Sequence, residues 1–139
     1  MTDSQWSFVT RSRPVYLMLA LITVGLGLTS RKFANHLPAI LHKNAGDILW
    51  ATMVFFLVAL LLPTLSTLRV AVITGAFSLA IECLKLAKIG WLVAFRNHPI
   101  GHLIFGSVFS YTNLLCYAVG ILLGAATEWR ILSGKPIKR

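Results

Sequence analysis

The 139-residue sequence is poor in acid: four Asp and Glu stand against thirteen Lys and Arg, and charged residues of both signs make up only 12%. A soluble domain carries about 25% charged residues, so this chain cannot dress a water-facing surface. Cysteine is scarce too. Cys83 and Cys116 both lie inside apolar runs, which excludes a disulfide framework and suits small buried hydrophobes. No linker rich in Ser, Gly or Pro divides the chain, so one domain is expected. There is no glycine-rich phosphate loop; the Gly134–Lys135 pair belongs to a tail. There is no Ser–His–Asp order, and hence no catalytic residue to name. His98 and His102 are four apart, but Pro99 lies between them and no third ligand is evident, so neither metal nor cofactor is expected.

What the chain has is apolar surface, 57% of its residues. A soluble chain of this length could not bury so much, so lipid must cover it. The net charge of +9 invites a nucleic-acid partner, but the cations sit between and beyond the apolar runs, where membrane proteins keep them. Their expected partners are therefore anionic lipid head groups rather than nucleic acid.

Length and hydropathy predict an all-α integral membrane bundle of four transmembrane helices over about 14–30, 48–65, 69–88 and 108–129. An interfacial or re-entrant segment, an outer lid at about 89–107, separates the third from the fourth. Arg11 and Arg13 precede the first apolar stretch, and Arg31 and Lys32 follow it without a small-residue cleavage site. It therefore reads as an uncleaved span rather than a signal peptide. The short connection at 63–67 forces an antiparallel hairpin. Pro99 disfavours helix at the residue before it, and the fourth helix is expected to begin between Ile100 and Ser110. With the N-terminus inside, the inner side holds Arg11, Arg13, Arg69, Arg130, Lys135, Lys138 and Arg139. The outer side holds Arg31, Lys32, Lys43, Lys85, Lys88 and Arg96. The charge rule barely decides; if Lys85 and Lys88 belong to helix three, it favours cytoplasmic termini.

Polar residues fall into stripes. Thr74, Ser78, Glu82 and Lys85 share one face of the third helix. Gly106, Ser110, Asn113, Tyr117, Gly120, Gly124 and Thr127 step by four and three along the fourth. Tyr16, Ala20, Thr23, Gly27 and Ser30 make a weaker seam on the first. Gly27, Gly106, Gly120 and Gly124 suit close helix packing, and a homo-oligomer is compatible with such seams. Glu82 differs from all of these, because a carboxylate within a span costs about 2.5–3.5 kcal/mol near the membrane centre. Lys85, almost one turn away, can pair with it. At helical rise Glu82 lies about 20 Å past Arg69, while Asn113 and Tyr117 lie about 24 and 18 Å before Trp129. All three are expected at one level. With Asp47, Lys85, Arg96 and Ser110 they form a candidate ligand site open to the outer face, while the inner half reads as plain packing.

The strings RKF (31–33), LP (37–38), GDILWATMVFF (46–56), IECLKL (81–86) and FSYTNLLCYAVG (109–120) resemble small bacterial membrane proteins grouped as domain of unknown function 2809. More distantly, a Glu late in helix three followed by a pattern like FSxxDLxxxxxG resembles the VanZ-like family, associated with teicoplanin resistance and the cell envelope. The matching positions are Asp47, Glu82, Lys85, Ser110, Asn113, Tyr117 and Gly120. Asn113 stands where that pattern usually has Asp, and the stretch from Lys85 to Phe109 is longer. The resemblance implies a multi-pass protein of the bacterial inner membrane. The expected function is non-catalytic: binding the polar or anionic head group of a membrane lipid such as a polyprenyl phosphate, with Lys85 and Arg96 on phosphate. The rivals are a small proton-coupled transporter using Glu82, an enzyme acting on a lipid head group with Glu82 or Asp47 as base, and an assembly or accessory subunit without a ligand.

Overall fold

The computed structural model describes residues 11–105 and 109–133. Helix α1 (Arg13–Lys32) carries Pro14 in its first turn, where the fixed φ of proline is suited. It ends on Arg31 and Lys32, whose charge opposes the negative end of the helix dipole. A 3-10 turn (Ala34–His36) leads to α2 (Ala39–Leu61). In α3 (Thr67–Leu84) the Ser66 hydroxyl accepts from the Arg69 N–H at 3.4 Å. Two short helices follow, α4 (Gly90–Asn97) and α5 (Pro99–Phe105), then α6 (Tyr111–Ser133). His98 is extended and Pro99 opens α5, the break that a proline imposes on the residue before it.

Helices α1, α3 and the stretches Asn44–Leu61 of α2 and Tyr111–Ile131 of α6 are long and apolar enough to cross a membrane. The protein is thus an all-α, multi-pass membrane bundle. Helix bounds depart from hydropathy at three places. Helix α2 begins at Ala39, well before the apolar run, because helicity does not require lipid contact. Helix α3 stops at Leu84, with Lys85 as its C-cap, rather than continuing to 88. Helix α6 starts at Tyr111, beyond the Ile100–Ser110 window, because residues 99–105 close a helix of their own and the Ser110 N–H is taken by Glu82.

Helix α2 is the hub: it packs on α1, α3 and α6, and α3 also packs on α6. Tyr16, Ala20, Phe55, Phe56, Ala59 and Val70 form the apolar core. The opposite faces, including Met18, Leu21, Val72, Leu115 and Leu122, are exposed, as a lipid-facing surface requires. Glycine sets the α2–α6 spacing. A Cβ on Gly120 would lie 2.3 Å from the Ile48 carbonyl oxygen, and one on Gly124 would lie 2.8 Å from the Phe55 ring. Across this contact the Thr52 hydroxyl donates to the Gly120 carbonyl at 2.9 Å. Gly27 is looser, with Leu49 Cβ at 3.9 Å. Gly106 lies outside the described residues. Of the cysteines only Cys116 is buried. Cys83 is exposed, because it follows Glu82 by one residue and α3 turns about 100° per residue away from the seam.

Candidate functional site

Glu82 sits on the last turn of α3, and its side chain has no exposed surface. Four groups meet it. The Lys85 ammonium lies 2.6 Å from Oε2 and the Tyr117 hydroxyl donates to Oε2 at 2.9 Å. The Ser110 N–H donates to Oε1 at 2.8 Å and the Asn113 amide donates to Oε1 at 3.2 Å. Three of the donors come from the start of α6, where helical N–H groups lack partners and the dipole favours negative charge. Glu82 thus caps a neighbouring helix and neutralises a lysine in one step. Asn113 Oδ1 and Ser78 Oγ, both buried on the same seam, have no hydrogen-bond partner among the described residues.

The structure therefore brings together Glu82, Lys85, Ser110, Asn113 and Tyr117, but not as an open site. The Lys85 side chain is almost fully buried against the carboxylate. Arg96, expected beside phosphate, points elsewhere: its guanidinium donates to the Lys85 carbonyl at 2.9 Å and the Ala87 carbonyl at 2.7 Å. The Lys85 carbonyl caps α3 and the Ala87 carbonyl lies in the loop after it; neither has a helical partner, so a cation is drawn to them. Arg96 in effect bolts α4 to the end of α3. Asp47 lies on α2, half-buried, three residues before Trp50. The Trp50 ring stands 5.3 Å from that of Tyr117 and 6.2 Å from that of Phe77, which brings α2 against one of the Glu82 donors, and the Asp47 charge acts on the same Tyr117 hydroxyl.

A second buried carboxylate corrects the view of the other half as plain packing. Glu128, near the end of α6, has no exposed surface. Its Oε1 accepts from Arg11 Nε at 2.9 Å, from Arg11 Nη2 at 2.5 Å and from the Thr67 hydroxyl at 2.9 Å. Arg11 Nη1 also donates to the carbonyls of Leu62 at 3.5 Å and Pro63 at 3.2 Å, and to that of Leu65. Glu128 Oε2 and the Tyr16 hydroxyl, both buried, make no hydrogen bond of ordinary geometry among the described residues, although the hydroxyl lies beside both Glu128 and Arg11. The signal was present: Glu128 follows Gly120 and Gly124 at the same four-residue step, on the seam rather than beside it. Arg11 gave no such hint, because a cation ahead of a span also satisfies the charge rule. This contact sets Arg11 beside the end of α6, so α1 begins at the end of the bundle where α6 finishes.

Between α1 and α2 runs a cavity of about 190 Å³, lined by Thr23, Val24, Gly27, Leu28, Arg31, Gly46, Leu49, Trp50 and Met53. Its walls are apolar except at the end, where the Arg31 guanidinium lies 3.3 Å from the position a Cβ on Gly46 would take. Arg31 is exposed. Trp50 is thus shared: one wall of this groove and a neighbour of Tyr117.

The family model described as a protein of unknown function (DUF2809) matches residues 36–121. That stretch takes in α2, α3, α4, α5 and the start of α6, with every residue bonded to Glu82. No solved structure matches the chain.

Proposed function

The chain belongs to the DUF2809 family, and from that membership and its architecture we propose that it is a non-catalytic envelope protein that holds an anionic lipid. The carrying observation is the α1–α2 groove, an apolar trough that ends on an exposed guanidinium. The trough offers an apolar bed for a stretch of acyl chain, and Arg31 suits phosphate, which a guanidinium binds through paired donors. Lys32, exposed on the same turn, adds charge. Lys85 and Arg96 do not serve, being engaged by Glu82 and by carbonyls; the Glu82 cluster instead braces the wall behind Trp50. The VanZ-like resemblance agrees with an envelope role. Placed in a bacterial inner membrane with both termini cytoplasmic, the chain has Arg31 in the outer leaflet, within reach of a polyprenyl phosphate head group.

Native mass spectrometry after extraction from nanodiscs with equal phosphatidylglycerol and phosphatidylcholine tests this. Wild type retains phosphatidylglycerol selectively, and both Arg31→Ala and Gly27→Leu, which fills the trough, lose it. Equal retention of the two lipids, or retention untouched by both substitutions, refutes the reading.

A further inference from the structure

The groups around Glu128 form a cage of oxygens. A carboxylate and the carbonyls of Leu62, Pro63 and Leu65 all accept from one guanidinium, and the Thr67 hydroxyl donates to the same carboxylate oxygen. That is the complement of a planar cation with donors in its plane. Arg11, however, fits it incompletely. Its Nε and Nη2 both converge on Oε1, whereas a guanidinium at liberty binds a carboxylate through both oxygens. Oε2 makes no hydrogen bond of ordinary geometry among the described residues, and neither does the Tyr16 hydroxyl beside it; both residues are almost wholly buried. The tether accounts for the misfit, because Arg11 is held by the chain two residues before α1 begins.

We propose that this cage is a recognition site for a free planar cation of the guanidinium or amidinium class, in which Arg11 sits as a tethered occupant. A free guanidinium carries six N–H donors, one more than an arginine side chain offers. It can turn to meet Oε2 while keeping the loop carbonyls. In the intact chain the tether gives Arg11 an effective concentration in the millimolar range or above, so a free cation enters only when the segment bearing Arg11 withdraws. The α2–α3 loop and α6 then stay joined through the ligand rather than through the N-terminal segment.

Chemical rescue tests it in the purified full chain. Wild type, Arg11→Ala, Arg11→Gln and the double variant Arg11→Ala/Glu128→Gln are melted in detergent. Each is melted with equal concentrations of guanidinium, acetamidinium, tetramethylammonium or sodium chloride. For a site of about 1 mM affinity, 10 mM guanidinium raises the Tm of Arg11→Ala by about 4 °C. Acetamidinium does the same, while tetramethylammonium, lacking N–H donors, and sodium do not. Wild type and the double variant show no such gain. The proposal is overturned if all four salts act alike, if the double variant gains as much, or if neither Arg11→Ala nor Arg11→Gln responds. It is also overturned if neither variant folds even with guanidinium present, since the cage then cannot be filled without its tether. Folding that requires guanidinium supports it.

Discussion

Removing Lys85 and removing the charge of Glu82 are each predicted to be severe, and removing both is predicted to be mild. The ion pair is fully buried at 2.6 Å. Lys85→Met leaves a buried carboxylate with three neutral donors, and Glu82→Gln leaves a buried ammonium facing an amide. Breaking such a pair from one side costs about 3–5 kcal/mol, because the surviving charge has no compensation. In the double variant Glu82→Gln/Lys85→Met neither charge remains. The Gln oxygen still accepts from Ser110 and Asn113, and its amide can donate to the Tyr117 oxygen. A neutral bond inside a membrane bundle is worth about 0.6 kcal/mol, so the double variant loses only about 1 kcal/mol. The interaction energy of the cycle then exceeds about 3 kcal/mol. Reversible unfolding in mixed micelles, followed by circular dichroism, measures all four corners. If the single losses add to within about 0.5 kcal/mol, the pair does not anchor α3 to α6 and the reasoning fails.

The glycine contacts separate two kinds of position. Gly120→Ala sets a methyl 2.3 Å from the Ile48 oxygen and should destabilise by about 1–3 kcal/mol. Gly75→Ala, whose nearest neighbour is Ile121 Cδ1 at 3.8 Å, should stabilise α3 by up to about 1 kcal/mol; thermal melts that move the same way for both refute the close approach. Arg96→Met frees the Lys85 carbonyl at the end of α3 and the Ala87 carbonyl in the loop after it and should raise amide hydrogen exchange over residues 86–97 while leaving 113–117 protected. Unchanged exchange there would show that Arg96 does not fasten α4. Thr67→Val removes one donor from Glu128 at nearly constant shape and should lower stability by about 1 kcal/mol; a loss that persists in a Glu128→Ala background, which has no acceptor left, would place its origin elsewhere.

Much of this fold is written in its apolar runs, because lipid demands long helices and the chain has room for four. The Glu82 group was legible for a related reason: α3 carries its polar residues at one spacing, and helical rise alone put Asn113 and Tyr117 at the same depth. What spacing does not convey is whether a cluster is open. Lys85 and Arg96 read as ligand-binding cations because sequence shows charge but not the carbonyls that a helix end exposes. Arg11 and Glu128 lie 117 positions apart, and nothing in periodicity links a residue ahead of the first helix to one near the end of the last. The groove was missed for the converse reason: Gly27, Leu49 and Met53 are ordinary packing residues until two helices are set side by side.

The reciprocal placement of the two carboxylates bears on how the chain enters the membrane. Helix α3 emerges with Glu82 and Lys85 already one turn apart, so it can partition into lipid as a self-neutralised segment before its other partners exist. Glu128 has no cation within reach on its own helix; Arg130, two residues on, faces another side. It comes last, when Arg11 and Thr67 are already in place. Synthesis order therefore leaves neither Glu82 nor Glu128 waiting alone in hydrocarbon. A circular permutant that placed α6 ahead of α1 would retain every contact of the folded state and still be at a disadvantage during insertion.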